Sequence, residues 1–159
     1  VTVAIPARDE EPLIGRALAA LAAQRDLDGL PLAPGTFDVL VFANGCRDGT
    51  ARAAREAAAA APGLRAHVVE GTLPADAAHI GTARKLVMDA AARRFERAGR
   101  IDALIASTDA DSEADPFWIA WTLIEARTVD AVTGRIALGA VDRGGMHAAA
   151  RGLYLREAA

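Results

Sequence analysis

In 159 residues the chain has one cysteine, Cys46, one lysine, Lys85, and aromatic side chains at only 4% of positions. A lone cysteine excludes an internal disulfide framework and fits a reducing compartment. No run of about 18 apolar residues, the length that crosses a bilayer, occurs anywhere. Nor is there a secretory leader, since the opening run Val1-Thr2-Val3-Ala4-Ile5 meets Arg8-Asp9-Glu10-Glu11 within a few residues. A cytoplasmic protein without a membrane span is the expectation. The start at Val1 rather than methionine points to a sequence that is trimmed or gives only its ordered part. Charge of one sign is also lacking: 18 basic and 21 acidic residues leave a net charge of -3. That balance argues against a protein that coats duplex nucleic acid, which would want a basic face. Gly-x-Gly-x-x-Gly after the first strand and the Gly-x-x-x-x-Gly-Lys-Ser/Thr phosphate loop are both absent. The histidines His67 and His79 are too isolated to argue for zinc, and no Cys/His signature makes Cys46 a nucleophile.

What is present is a one-domain chain, 52% hydrophobic but rich in alanine. Alanine buries little area, so the core must rest on the Leu, Ile and Val of the strands. Val1–Ile5 is a β-branched run stopped by Pro6, and Phe37–Phe42 and Ala66–Val69 read as second and third strands. A helix is expected from Pro12, with Leu13, Ile14, Ala17, Leu18 and Leu21 on one face. Others are expected over Thr50–Ala61 and Ile80–Ala98, the latter closed by Gly99 and turning Ala83, Leu86, Val87, Ala90, Ala91 and Phe95 inward. A fourth strand ends in Asp109, a helix follows from Pro116 to about Arg127, and Ala131–Ile136 reads as a last strand. In that fourth helix Trp121 is expected against the sheet. Strands alternating with helices predict an α/β fold, a three-layer sandwich around a mostly parallel sheet. Ligands in such folds sit outside the carboxyl ends of the strands, where strand order reverses.

Three chemically loaded segments each follow a strand: Pro6–Glu10, Ala43–Thr50 and Thr108–Ser112. Asp109 and Asp111 end a short apolar strand and share one side if its tip stays extended. Two carboxylates so placed suit a hard divalent cation.

Four stretches together resemble the family-two, inverting glycosyltransferases of GT-A fold. They are Ile5-Pro6-Ala7-Arg8-Asp9-Glu10-Glu11, Asn44-Gly45-Cys46-Arg47-Asp48-Gly49-Thr50, Gly81-Thr82-Ala83-Arg84-Lys85 and Asp109-Ala110-Asp111. The resemblance covers roughly residues 1 to 136. It implies that Pro6, Ala7, Arg8 and Glu10, with Asn44, lie about the nucleotide base. It further implies that Arg84 lies near the diphosphate, Asp109 faces the ribose and the metal, and Asp111 ligates Mn or Mg. The chemistry is coherent, because a departing nucleoside diphosphate gains negative charge that a cation and a planar guanidinium offset. Two positions depart from the family. Ala43-Asn44 stands where Asp-Asp is frequent, and an asparagine amide accepts a hydrogen bond without carrying charge. Lys85 replaces a frequent asparagine, either touching phosphate or lying on the surface.

Inversion also needs a base for the acceptor hydroxyl. Residues 137–159 read as a partial acceptor-side tail whose candidates are Asp142, His147 and Glu157, with nothing in their spacing to choose among them. The expected function is transfer of a hexosyl group from a nucleotide-diphosphate sugar to a hydroxyl acceptor with metal assistance. The alternative is a non-catalytic or truncated nucleotide-binding module. A haloacid-dehalogenase-like phosphatase would carry its Asp-x-Asp after the first strand, and a receiver domain would need a lysine after its fifth.

Overall fold

The computed structural model describes residues 1–137. Four strands and four helices alternate: β1 Thr2–Ala7, α1 Ile14–Ala22, β2 Asp38–Asn44, α2 Thr50–Ala60, β3 Ala66–Gly71, α3 Ile80–Arg97, β4 Ile105–Ser107 and α4 Trp118–Glu125. The strands form one parallel sheet in the order β3-β2-β1-β4. The chain therefore builds outward from β1 in one direction and then crosses back through α3 to add β4 on the other side. That reversal opens a crevice between the carboxyl ends of β1 and β4.

Alternation along the strands sorts the core into two layers. Val3, Ile5 and Ala7 of β1 join Val39 and Val41 of β2, Ala106 of β4, and Ile14, Leu18, Leu21, Ala54 and Ile119 on one face. Ala4 and Leu40 turn the other way, onto Val87 and Ala91 of α3. Two layers of helices around a parallel sheet are the expected three-layer α/β sandwich. The fully buried Ile5, Ile14, Leu18, Leu21 and Ile119 each contribute about 1.5–3 kcal/mol by leaving water.

One buried polar residue fastens the segment after β4. Gln24, just beyond α1, is 3% exposed. Its Nε2 donates to the Asp115 carbonyl at 2.7 Å, and its Oε1 accepts the Ile119 N–H at 2.9 Å. Outside this clip Arg16 of α1 donates from Nε to Glu113 at 2.8 Å. The Asp109–Asp111 loop is thus anchored to α1 from behind.

Several expectations change in detail. Leu86 is 37% exposed and Trp121 51% exposed. The inner side of α4 carries Ile119 and Leu123, four residues apart, with Trp118 packed beside them; at 100° per residue Trp121 falls on the opposite side. The face of β3 turned toward α3's layer is uncovered, with His67 exposed and Val69 57% exposed. No strand forms over Ala131–Ile136. Residues 131–137 carry no regular secondary structure, and Ile136 is 82% exposed. β-branched residues without a ladder partner leave their backbone groups to water, and propensity does not outweigh that. Residues 1–124 form one compact unit and 125–159 a second. In the described part of the second, Thr128 closes a turn by donating its N–H to the Glu125 carbonyl at 3.1 Å.

Candidate active site

The carboxyl ends of β1, β2 and β4 deliver the three loaded loops to one edge of the sheet. Pro6 and Ala7 are the last residues of β1, paired in register with Phe42 and Ala43 and buried. The Ala7 side chain turns into the core. Arg8 is exposed and reaches the Ala78 carbonyl with Nη1 at 3.4 Å. Asp9 adopts a left-handed backbone, φ +56°, a conformation that a non-glycine residue keeps only when its surroundings hold it.

What holds it is an exchange of carboxylate-to-amide hydrogen bonds with the loop after β2. Asp9 Oδ1 accepts the Arg47 N–H at 2.6 Å, Asp48 Oδ2 accepts the Glu11 N–H at 3.0 Å, and Glu11 Oε2 accepts the Gly49 N–H at 2.8 Å. The Glu10 N–H completes the set by donating to Thr50 Oγ1 at 2.8 Å. A Cβ at Gly49 would stand 2.5 Å from Glu11 Oε1, so a larger residue there would push the Glu11 carboxylate aside. Asp48 also accepts from the Thr50 hydroxyl and backbone. These bonds, the Thr50 hydroxyl foremost, hold its carboxyl below the usual aspartate range. Asp9, Cys46 and Asp48 bring ligand-capable atoms within 4.8 Å of one another. Both carboxylates are already engaged in the loop-to-loop exchange, which marks them as a staple.

Asn44 ends β2 and is 4% exposed. Its Oδ1 accepts the Leu73 N–H at 3.0 Å. It therefore stands on the expected edge with one acceptor lone pair spent on ordering the loop after β3.

The fourth loop element comes from α3. His79 caps that helix, its Nδ1 accepting the Thr82 N–H at 3.3 Å. Arg84, in the second turn, crosses to the tip of β4, where Nη1 donates to Ser107 Oγ at 2.7 Å and Nη2 pairs with Asp109. Two motifs 25 residues apart in sequence thus meet in one ion pair. Lys85 lies on the surface, 73% exposed and paired with Asp89 at 2.6 Å.

The tip of β4 does not stay extended. The ladder ends at Ser107, residues 110–111 turn, and the Ser112 N–H bonds the Asp109 carbonyl at 3.3 Å. Ala110 packs into the core while Asp111 is exposed. Strand alternation is thus not what orients the two aspartates; the small Ala110 pins the turn between them.

Glu10 sits among these acids. Burial, then the charges of Asp111, Asp48, Asp109 and Asp9, push its carboxyl above the usual glutamate range. The donor set is all oxygen, and its crowding of negative charge fits a hard divalent cation. A stability consequence follows. A carboxyl whose folded pKa is raised gives full stability below the ordinary glutamate value and loses it as pH rises through the folded value. Glu10→Gln removes that loss. It is expected to raise the melting temperature at pH 7 by about 2 °C, the scale of a few tenths of a kcal/mol for a solvent-screened group. The gain should vanish at pH 3, where both side chains are neutral. Paired thermal melts at the two pH values check it; an equal gain at both would exclude charge repulsion as the cause.

The family model for glycosyltransferase like family 2 matches residues 1–156. The chain belongs to that family. Among solved structures, S. aureus TarS 1-349 in complex with UDP superposes at TM-score 0.54, with 19% identity over 79% of this chain and 30% of that one. The same protein in complex with UDP-GlcNAc gives TM-score 0.53 and 19% identity over 79% of this chain and 29% of that one. PcManGT, a mannosyltransferase from Pyrobaculum calidifontis in complex with GDP-Man and Mn2+, aligns at TM-score 0.48, 25% identity, 69% of this chain and 27% of that one, a superposition too partial to define a fold. The chain thus spans about 30% of the TarS 1-349 chain. No curated protein matches it in sequence. The fold is α/β and GT-A-like, and among the described residues no helix is long and apolar enough to cross a membrane.

Proposed function

We propose that this chain holds the nucleotide-diphosphate-sugar donor of an inverting glycosyl transfer, in the crevice between the ends of β1 and β4. The observation that carries the reading is the Arg84–Ser107–Asp109 contact, set beside the acidic surround of Glu10 at the point where strand order reverses. The roles follow from position and chemistry. Backbone of Pro6 and Ala7, together with Arg8, Glu10 and Asn44, forms the side on which the base rests. The Arg84 guanidinium binds diphosphate oxygens, exchanging Asp109 for phosphate as its partner. Asp111, exposed at the turn, and Asp109 hold Mn or Mg. When bound, the cation supplies Lewis-acid neutralisation of the charge on the departing diphosphate. Residues 1–136 are the donor-binding part and 137–159 belong to the acceptor side, with a hexosyl group as the transferred sugar. The candidate bases Asp142, His147 and Glu157 lie outside the described residues.

The span of about 30% of TarS 1-349 favours one second reading, a nucleotide-binding module that acts only with further chain around it. Both readings require donor binding, so the first experiment is a thermal-shift panel of UDP, GDP, CDP and TDP with and without Mn2+. One nucleotide should raise the melting temperature, and more so with the cation, since ligands of the folded state stabilise it by mass action. The UDP named with TarS makes UDP the first to try. Four flat responses would overturn the proposal. Rates of donor consumption on an acceptor panel then separate the two readings.

A further inference from the structure

The edge of the sheet opposite the crevice carries a second cavity, of about 390 Å³, within the range of small-molecule sites. Arg65 reaches it from just before β3, Arg94 and Arg97 from the last turn of α3, and Arg100 from just beyond that helix, with Phe95 as an apolar wall. Asp38, at the start of β2, is the one acidic side chain among its described lining residues. Four guanidinium groups thus face one carboxylate, in a chain whose net charge is -3. The α3 dipole accounts for Arg94 and Arg97, since cations suit a helix C-terminus. It does not account for Arg65 and Arg100, which come from other segments.

The partners are unevenly shared. Arg94 Nη2 donates to Asp38 at 2.6 Å, which occupies the only carboxylate among the described lining residues. Arg94 Nη1 is buried and has no hydrogen-bond partner, a state that buried charged donors rarely keep. No described side chain pairs with Arg65, Arg97 or Arg100, all of them exposed. We propose that this cavity is a second ligand site, for a multiply charged phosphate group bound by Arg65, Arg97 and Arg100 around the Arg94–Asp38 pair. Planar guanidiniums bind phosphate oxygens bidentately, and three convergent ones suit a group with more than one negative charge. The group is carried either by a free polyphosphate or by the phosphomonoester headgroup of a lipid. The site is separate from the donor crevice, which lies at the other ends of the same strands.

The test is titration calorimetry of inorganic tripolyphosphate into the chain at low salt with EDTA, which silences binding that needs a divalent cation. In parallel the chain is sedimented with phosphatidylcholine vesicles with and without phosphatidic acid. Binding of tripolyphosphate alone assigns a free polyphosphate, and retention on phosphatidic acid vesicles alone assigns the headgroup. Binding in neither arm overturns the proposal. Arg100→Glu is expected to weaken the binding arm about tenfold or more, the loss of one charge-assisted contact. Arg55→Glu, an equal change of charge at an exposed position of α2 outside the cavity lining, should leave it within about twofold. Arg65→Gln repeats the measurement at a second exposed wall position and covers the case in which Arg100→Glu fails to fold. Parent-like binding by Arg65→Gln, or an equal loss in Arg55→Glu, would overturn the site as surely as no binding at all.

Discussion

Arg84→Ala is expected to weaken nucleoside diphosphate binding by about 10- to 100-fold. That range corresponds to the loss of one charge-assisted hydrogen bond, about 1.5–3 kcal/mol. Arg84 is the cation that reaches the tip of β4, pairing with Asp109 and donating to Ser107 Oγ at 2.7 Å. Removing it leaves Asp109 beside Glu10 and Asp111 with its ion-pair partner gone, so a diphosphate approaching there meets uncompensated negative charge. Arg84→Lys should recover only part of the loss, because a point charge replaces a planar fork. Asp111→Asn serves as the companion. It should abolish the gain in affinity that Mn2+ brings while leaving the cation-free affinity near the parent's, because Asp111 is exposed and holds no backbone. Calorimetry with UDP, with and without Mn2+, reads both. Unchanged affinity in Arg84→Ala would remove the arginine from the diphosphate. A retained Mn2+ response in Asp111→Asn would remove that aspartate from the cation.

The second large effect falls on stability. Gln24→Ala should lower unfolding free energy by about 3 kcal/mol, since it strips the partner from the buried Ile119 N–H and from the Asp115 carbonyl at once. The same change loosens the segment that fixes the Asp109–Asp111 loop against α1. Urea unfolding of the variant, monitored by circular dichroism, gives the number. A loss under about 0.5 kcal/mol, the ordinary range for surface substitutions, would mean that water replaces the amide at both positions. Gln24→Glu should destabilise at least as much as Gln24→Ala at pH 7, because it sets an unpaired buried carboxylate against the Asp115 carbonyl.

Most of the fold and the outline of the site are legible in the amino-acid sequence because their signals are local. A β-branched run stopped by Pro6, the apolar stripe Ile14–Ala17–Leu18–Leu21, and Gly99 in left-handed conformation (φ +64°) after α3 each arise within a few residues. Alternation of such elements is enough for a parallel α/β sheet with helices on both faces, and for placing Pro6–Glu10, Asn44 and the Asp109–Asp111 stretch on one edge. The family resemblance, carried by four short stretches, agrees with the match to glycosyltransferase like family 2.

What only the tertiary structure decided is which of these residues are free to meet a ligand and which are spent on one another. Asp9, Glu11 and Asp48 are acids in two loops more than thirty residues apart, and sequence gives no sign that they exchange hydrogen bonds with each other's backbone. Asn44 looks available until Leu73, from a third loop, takes its acceptor. Ala110 looks like a spacer in an extended strand until core packing draws it inward and turns the chain. Ala131–Ile136 has strand propensity but no strand, because a strand is a property of two chains of hydrogen-bonding groups and not of one. Local propensity acts over a few residues and is written in the sequence; pairing, burial and competition for hydrogen-bond partners act across loops, and exist only once the sheet has brought those loops together.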